Sequence, residues 1–390
     1  MNLLDGVIIL VVALQAFRWV NYGLMRGVFS IGGFWGGVLL GALLAPFTMQ
    51  LVADEPLPRL ITLVVTIIVV ALLLGVLGEY VGRQLSRLTQ KLRLGALDAV
   101  LGAALGMMVA LLFIWLLAAI MAGTPFQGVN QQLRESIILQ NLNERLPPAP
   151  AVVSQISGLI SQDGFPDVFS GLEPAPVDPV DPPTSEETAQ AQAAAASATV
   201  RIESVGCGGT VNGSGFVASN NLVITNAHVV AGIERPTVVD TEGRREATVV
   251  YFDPDLDMAV LRTSGLAGDP LSISRERFPR GTTGAVLGYP GGGPLQVSDM
   301  AVLRSLDARG RDIYGQGLVQ RPVYELQSSI ASGSSGGPAV LPDGTVIGLV
   351  FARSEASGTI GYAIESPAIV EGLEQARGVT QAVSTGACAR

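Results

Sequence analysis

The chain has 390 residues, of which 48% are hydrophobic and 15% charged, and its net charge is −9. Its mean hydropathy is +0.45. That balance is too apolar for an ordinary soluble protein and too acidic for a nucleic-acid binder, and the length allows two or three domains.

Four apolar runs fill the first third: Leu4 to Trp19, Val28 to Phe47, Leu60 to Leu77 and Ala99 to Ala122. Each approaches the ~20 residues a helix needs to cross a bilayer. The first lacks the basic start and small-residue cleavage site of a signal peptide, because Gln15 and Arg18 intrude. Arg18 and Arg26 follow the first run, and Arg83, Arg87, Lys91 and Arg93 follow the third. The other side offers Arg59 beside Asp54 and Glu55. Positive turns favour the cytoplasm, so the N-terminus and everything after the fourth run are expected outside it. Leu85, Leu88 and Leu92 share a face among the basic residues, which predicts a short interfacial helix. Glycines recur four apart at Gly32/Gly36, Gly33/Gly37, Gly37/Gly41 and Gly102/Gly106. Such spacing serves close helix packing, within one bundle first and between two copies second. Asp5 and Asp98 are isolated acids near these runs and form no relay of the kind an ion path needs.

Residues 123 to about 172 are amphipathic. Val152, Val153, Ile156, Leu159 and Ile160 follow a helical period, as in a stalk or a lid. From Glu173 to Ser197 the composition turns to Pro, Asp, Glu, Ser and Ala, which predicts a flexible linker. The expected division is therefore a membrane region at 1–123, a stalk and linker at 124–197, and a third domain at 198–390. In that domain short strand-like runs alternate with turn signals, from Thr199–Ser204 to Thr359–Ile364, which predicts an all-β barrel pair.

Three stretches carry chemistry. Gly333-Ser334-Ser335-Gly336-Gly337-Pro338 places a serine in a tight glycine turn, where the amides of Gly333 and Ser335 can face one oxyanion. His228, the one histidine in the chain, closes the apolar run Leu222-Val223-Ile224-Thr225 after Asn226-Ala227. Asp257 opens the run Met258-Ala259-Val260-Leu261, with Asp255 as the alternative acid on the same strand face. A serine hydroxyl needs a base and oxyanion donors, and His228, Asp257 and Ser335 occur in the chain order of one known triad arrangement.

With Gly213-Ser214-Gly215-Phe216-Val217 and Gly361-Tyr362-Ala363-Ile364, these stretches resemble the trypsin-like serine proteases of the HtrA/DegP kind, over roughly residues 198 to 370. The resemblance implies a serine endopeptidase with the chymotrypsin fold. Ser335 would be the nucleophile, His228 the base, Asp257 its orienting acid, and Gly333 and Ser335 the oxyanion donors. No metal or cofactor is implied. The four-run region resembles the colicin V production protein family, and the whole layout resembles the membrane proteases called MarP, a family linked to acid and oxidative stress. With so short a stretch after Ile364, no PDZ domain of the HtrA kind is expected. Neither Leu326–Ser332 nor Gly348–Arg353, the expected pocket walls, holds an acid, so an uncharged P1 residue is expected.

The leading expectation is thus a multi-pass protein of the cell membrane, in contact with the lipid bilayer, whose protease acts on peptides or proteins of the cell envelope. A homodimer through the glycine-rich runs is the oligomer considered. A catalytically silent envelope sensor with a protease-like module is the alternative, and a transporter with an accessory protease is a third reading. Cys207 and Cys388 both fall in the region placed outside, where disulfides persist, so a bridge between them is expected; two unrelated thiols are the alternative.

Overall fold

The computed structural model describes residues 2–49, 56–122, 126–148 and 168–389. The chain divides into two compact units, Met1–Trp115 and Leu116–Arg390. The helical periodicity over 152–160 lies outside the described residues.

Four long helices open the chain: α1 (Leu3–Tyr22), α2 (Leu24–Met49), α3 (Pro56–Lys91) and α4 (Gly95–Met121). All four are long and apolar enough to cross a membrane. Asn2 starts α1 through a reciprocal cap with Asp5, in which each side chain accepts the other's backbone N–H at 3.0 Å. A Cβ added to Gly33 would lie 2.2 Å from Leu74 O, and one added to Gly37 2.5 Å from the Ala71 Cα. These glycines therefore let α2 and α3 touch backbone to backbone. Gly32 and Gly36 have nothing within 4 Å of an added Cβ. Leu39, Leu43, Leu73 and Val76 are exposed, the pattern of helices whose outer faces meet lipid. The interfacial helix expected around Leu85 and Leu88 is not separate. It is the last part of α3, because no Gly or Pro stops the helix before Arg93, which sits at φ +58°.

The second unit carries α5 (Gln127–Glu135) and α6 (Ile137–Arg145), and then a segment that overturns the flexible-linker expectation. After the bends at 168–172, residues 173–184 run along the later barrel without helix or strand. Val180 exchanges two hydrogen bonds with the Gln327 side chain (3.1 and 3.0 Å), and Arg304 donates to Ala175 O (2.9 Å). Helix α7 (Ser185–Ala195) follows, started by a capping box between Thr184 and Glu187. Its Ala191 and Ala195 are fully buried, and Thr188 donates to Asp299 at 2.7 Å. The stretch lacks large apolar residues, but alanine's high helix propensity and small size let it pack flat on a barrel.

Two β systems follow, as expected for the chymotrypsin fold. The first is a curled sheet ordered β5-β4-β1-β2-β3-β7-β6. Its strands are β1 (Thr199–Gly206), β2 (Gly209–Ser219), β3 (Leu222–Thr225), β4 (Thr237–Asp240), β5 (Gly243–Glu246), β6 (Thr248–Asp253) and β7 (Met258–Arg262). The second is a closed barrel, β10-β13-β12-β11-β8-β9. It comprises β8 (Thr283–Gly288), β9 (Gln296–Arg311), β10 (Leu318–Gln327), β11 (Pro338–Val340), β12 (Val346–Arg353) and β13 (Ile360–Glu365). All ladders between named strands are antiparallel. One cluster of fully buried side chains joins the two systems, including Ile202, Phe216, Ile224 and Leu261 from the first and Leu349, Phe351 and Tyr362 from the second. Burying each such side chain contributes ~1.5–3 kcal/mol. Between β3 and β4 sits a one-turn helix, α8 (Ala227–Val230), and α9 (Ser366–Ala376) closes the fold with Ile369, Leu373 and Ala376 buried.

Candidate active site

The site is built where the first sheet meets the second barrel. β3 is buried along its whole length, which fixes the exit angle of the chain into α8 and so the place of His228. Asp257 stands immediately before β7 and is fully buried. Its φ is +64°, a left-handed conformation that aspartate tolerates better than most residues. In that conformation both carboxylate oxygens serve His228. Oδ2 lies 2.7 Å from Nδ1, and Oδ1 accepts the His228 backbone N–H at 2.9 Å. The second bond ties the acid to the histidine's backbone as well as its ring, so ring and acid keep one relative orientation. Asp255 is exposed, and its backbone carbonyl rather than its carboxyl is engaged, so the pairing falls to Asp257.

Ser335 is nearly buried, in the loop between β10 and β11. Gly336 has φ +87°, and a Cβ there would sit 2.0 Å from Ser214 O, so glycine is required. Gly333 has φ +96°, with Gly291 N 2.5 Å from an added Cβ. The Ser334, Gly336 and Gly337 amides are taken up by Ala331 O, Val350 O and Ser334 O. The amides of Gly333 and Ser335 donate to no protein acceptor among the described residues. They are thus available to a developing oxyanion.

Ser214 was visible in the sequence only as part of a glycine-rich motif, but it joins the two halves. Its N–H donates to Ser335 O (2.7 Å), and its Oγ donates to Gly333 O (2.8 Å) and accepts from Tyr289 N (2.8 Å). Beside it, a Cβ on Gly213 would lie 2.6 Å from Val229, the residue after His228, and 3.3 Å from Ser335 O. Gly213 is therefore the point where the histidine helix and the serine loop approach. Asn226 is a second residue whose role the sequence did not show. Its Nδ2 donates to Asp257 O at 2.8 Å and so holds the acid from behind the histidine.

Cys207 and Cys388 form a disulfide. Around it Gly232 N donates to Thr385 O (3.1 Å) and Val383 N to Val249 O (2.9 Å), so the C-terminal tail lies on the first sheet. Tyr314, from the β9–β10 connection, reaches the same tail through Thr385 O at 3.4 Å.

Comparison with known proteins agrees with this architecture. Residues 213–349 match the trypsin-like peptidase domain, and residues 4–147 match the colicin V production protein. The serine protease Rv3671c of Mycobacterium tuberculosis (strain H37Rv) is 32% identical over 99% of this chain and 98% of its own length. The crystal structure of the Rv3671c protease in its active form superposes with a TM-score of 0.53 at 36% identity, covering 56% of this chain and 97% of that one. The magnetosome formation protease MamE of Paramagnetospirillum magneticum is 28% identical over 64% of this chain but 30% of its own length.

A trypsin-like peptidase joined to a colicin V production region defines the class: a serine endopeptidase, acting on peptides or proteins, with four apolar helices ahead of its protease. Within that class the chain belongs to the MarP family of serine proteases, together with Rv3671c.

Proposed function

We propose that the chain is a multi-pass membrane protease whose catalytic domain, residues 198–390, faces away from the cytoplasm and cleaves proteins of the cell envelope during acid or oxidative stress. The residues that carry the reaction are His228, Asp257 and Ser335, with Gly333 and Ser335 as oxyanion donors. The observation that carries this reading is the double contact of the buried Asp257 carboxylate with the His228 ring and backbone.

Those contacts support the following chemistry. Asp257 accepts a hydrogen bond from the Nδ1–H of His228, which leaves Nε2 as the base. Nε2 takes the Ser335 proton as Oγ attacks the scissile carbonyl. The carbonyl oxygen gains charge and is met by the Gly333 and Ser335 amides. The imidazolium, steadied by Asp257, then protonates the leaving amine. Water repeats the sequence to release the acyl group. The walls expected to receive the P1 side chain hold no acid, and Ile330 packs against Gly361, where a Cβ would lie 2.0 Å from Ile330 Cδ1. Such a pocket suits an uncharged P1 residue.

The basic turns at Arg18/Arg26 and Arg83–Arg93 support the sidedness. The disulfide supports an oxidising compartment. The exposed apolar faces of α1 to α4 support contact with the bilayer, and the open Gly32/Gly36 face is where a second copy would pack. Residues 1–123 act as anchor and 124–197 as the connection to the protease. Membership of the MarP family supports the stress role.

A reporter fused after Arg390 tests the sidedness together with the substrate class. It is expected to be active only outside the cytoplasm. Comparison of envelope-protein N-termini between wild-type and Ser335→Ala cells should then show ends that vanish in the variant. Cytoplasmic reporter activity, or identical N-termini, would contradict the proposal.

A further inference from the structure

One fully buried charge near the site remains unexplained by the triad. Arg321 lies on β10 of the second barrel, opposite Ala308, and is 1% exposed. Its guanidinium carbon sits 5.9 Å from the centre of the Phe351 ring. Its Nε donates to the backbone carbonyl of Asp255 at 2.6 Å, on the loop that carries Asp257. Both terminal nitrogens are buried without a protein partner among the described residues.

Such an arrangement is costly. An unpaired buried guanidinium opposes folding, and an apolar side chain of the same volume would fill the space more favourably. Burial pulls its pKa below the usual arginine value, and the carboxylates of Asp257, Asp255, Asp253 and Asp312 oppose that shift. The charge therefore faces the acid loop of the other half of the protease.

The loop itself needs holding. Asp257 has a left-handed backbone, a conformation that persists only where the surroundings fix it. Within the loop, Asp253 Oδ1 accepts the N–H groups of Asp255 and Leu256 at 2.9 Å each. Its carbonyls are then gripped from outside: Pro254 O by Ile313 N (3.3 Å), Asp255 O by Arg321 and Asp257 O by Asn226 (2.8 Å). Ile313 and Arg321 come from the second barrel and its β9–β10 connection. Of these three donors Arg321 alone is charged, and a charge-assisted hydrogen bond is about twice as strong as a neutral one.

We propose that Arg321 is a positioning residue: from the second barrel it holds the 253–257 loop of the first sheet so that Asp257 meets His228. The proposal rests on the reading of Asp257 as the catalytic acid. It means that the serine half of the protease sets the geometry of the histidine–aspartate half, so that a displaced β10 weakens catalysis with Ser335 still in place.

The test is a double-mutant cycle on the full-length protein in detergent micelles, with wild type, Asp257→Asn, Arg321→Met and the double variant turning over a fluorogenic peptide. Arg321→Met keeps an apolar stem over Phe351. It is expected to lower kcat by about 10- to 100-fold with KM little changed, as misplacement of a catalytic group does. In the Asp257→Asn background it should cause no further loss. Because His228 is the one histidine in the chain, 15N-histidine labelling reports on a single imidazole ring, with one Nδ1 and one Nε2 resonance, and Arg321→Met should move the Nδ1 resonance. Wild-type kcat in Arg321→Met, or an equal loss in the Asp257→Asn background, would overturn the proposal. Wild-type kcat in Asp257→Asn would instead overturn the reading of the acid. Should Arg321→Met not fold, Arg321→Lys retains the charge without the Nε donor. It is expected to fold with kcat reduced by about tenfold. Full kcat in that variant, or its failure to fold, assigns Arg321 to the core alone and refutes the proposal.

Discussion

The first sheet ends at β5 and β6, whereas the second system closes its ladder from β8 round to β11. The sheet that holds His228 and Asp257 borrows its bracing from the far end of the chain. Val383 bonds to Val249 on β6, and Cys388 is tied to Cys207 just after β1. The barrel that leads into the Ser335 loop closes through its own backbone and uses the preceding chain differently. Buried Glu325 on β10 takes Arg304 (2.5 Å) and Arg134 of α5, while Glu173 accepts from Ser354 (2.6 Å) and the Glu355 amide (2.8 Å). Closing a ladder satisfies every edge at once, but an open sheet needs another part of the chain to hold its edge strands. The difference teaches that the half holding His228 and Asp257 leans on the C-terminal tail, and the half holding Ser335 on the chain that precedes the protease.

Cutting the tail from the first sheet should give the largest loss of stability. The disulfide closes a 181-residue separation. For a loop of that length the chain-entropy account puts its worth at about 5 kcal/mol. Cys207→Ser, or reduction of the wild type, should lower the melting temperature of the protease and its kcat together. An unchanged kcat after reduction would show that the tail braces the fold without setting the site.

Removing the clamp on the other half should cost less. Arg134→Met takes one of two cations from the fully buried Glu325 and also loses the Nε bond to Pro174 O (2.7 Å). Breaking a buried pair costs about 3–5 kcal/mol, and the remaining Arg304 places this case at the low end, about 3 kcal/mol by denaturant unfolding. A loss as great as that of Cys207→Ser would erase the contrast between the two halves.

The smallest effect concerns a turn of the first sheet. Burial alone would raise the Asp240 carboxyl, but hydrogen bonds from Ala267, Glu242 and Arg245 outweigh it and hold it below the usual aspartate value. A carboxyl with a lowered folded pKa contributes stability in full above its unfolded pKa of about 3.9 and loses it as pH falls through the folded value. Asp240→Asn should therefore cost about 1 kcal/mol at neutral pH, and its melting temperature should begin to approach the wild type's only below about pH 4 and meet it once pH is under the lowered folded pKa. A gap that persists in acid would mean that shape rather than charge matters there.

Much of this was readable in the residues. The apolar runs became α1 to α4, and the strands around His228 and Asp257 were expected at Leu222–Thr225 and Met258–Arg262, where β3 and β7 lie. The rest was hidden for physical reasons. Arg304 to Arg311 has few apolar residues and no clean alternation, yet it extends β9 because β10 pairs with it along its length. Helix α7 looked like linker because its buried residues are alanines. The roles of Ser214 and Arg321 depend on partners 119 and 66 residues away, which no local pattern encodes.

The account rests most heavily on one serine activated by one histidine. Purified full-length protein, its Ser335→Ala and its His228→Ala variants should be compared for turnover of an unfolded protein substrate and for labelling by a serine-directed phosphonate. Wild type should cleave and take up one label on Ser335, while either variant should lose about 10⁴-fold or more in kcat and remain folded. Wild-type turnover by Ser335→Ala, or a label carried elsewhere, would contradict the assignment of the nucleophile.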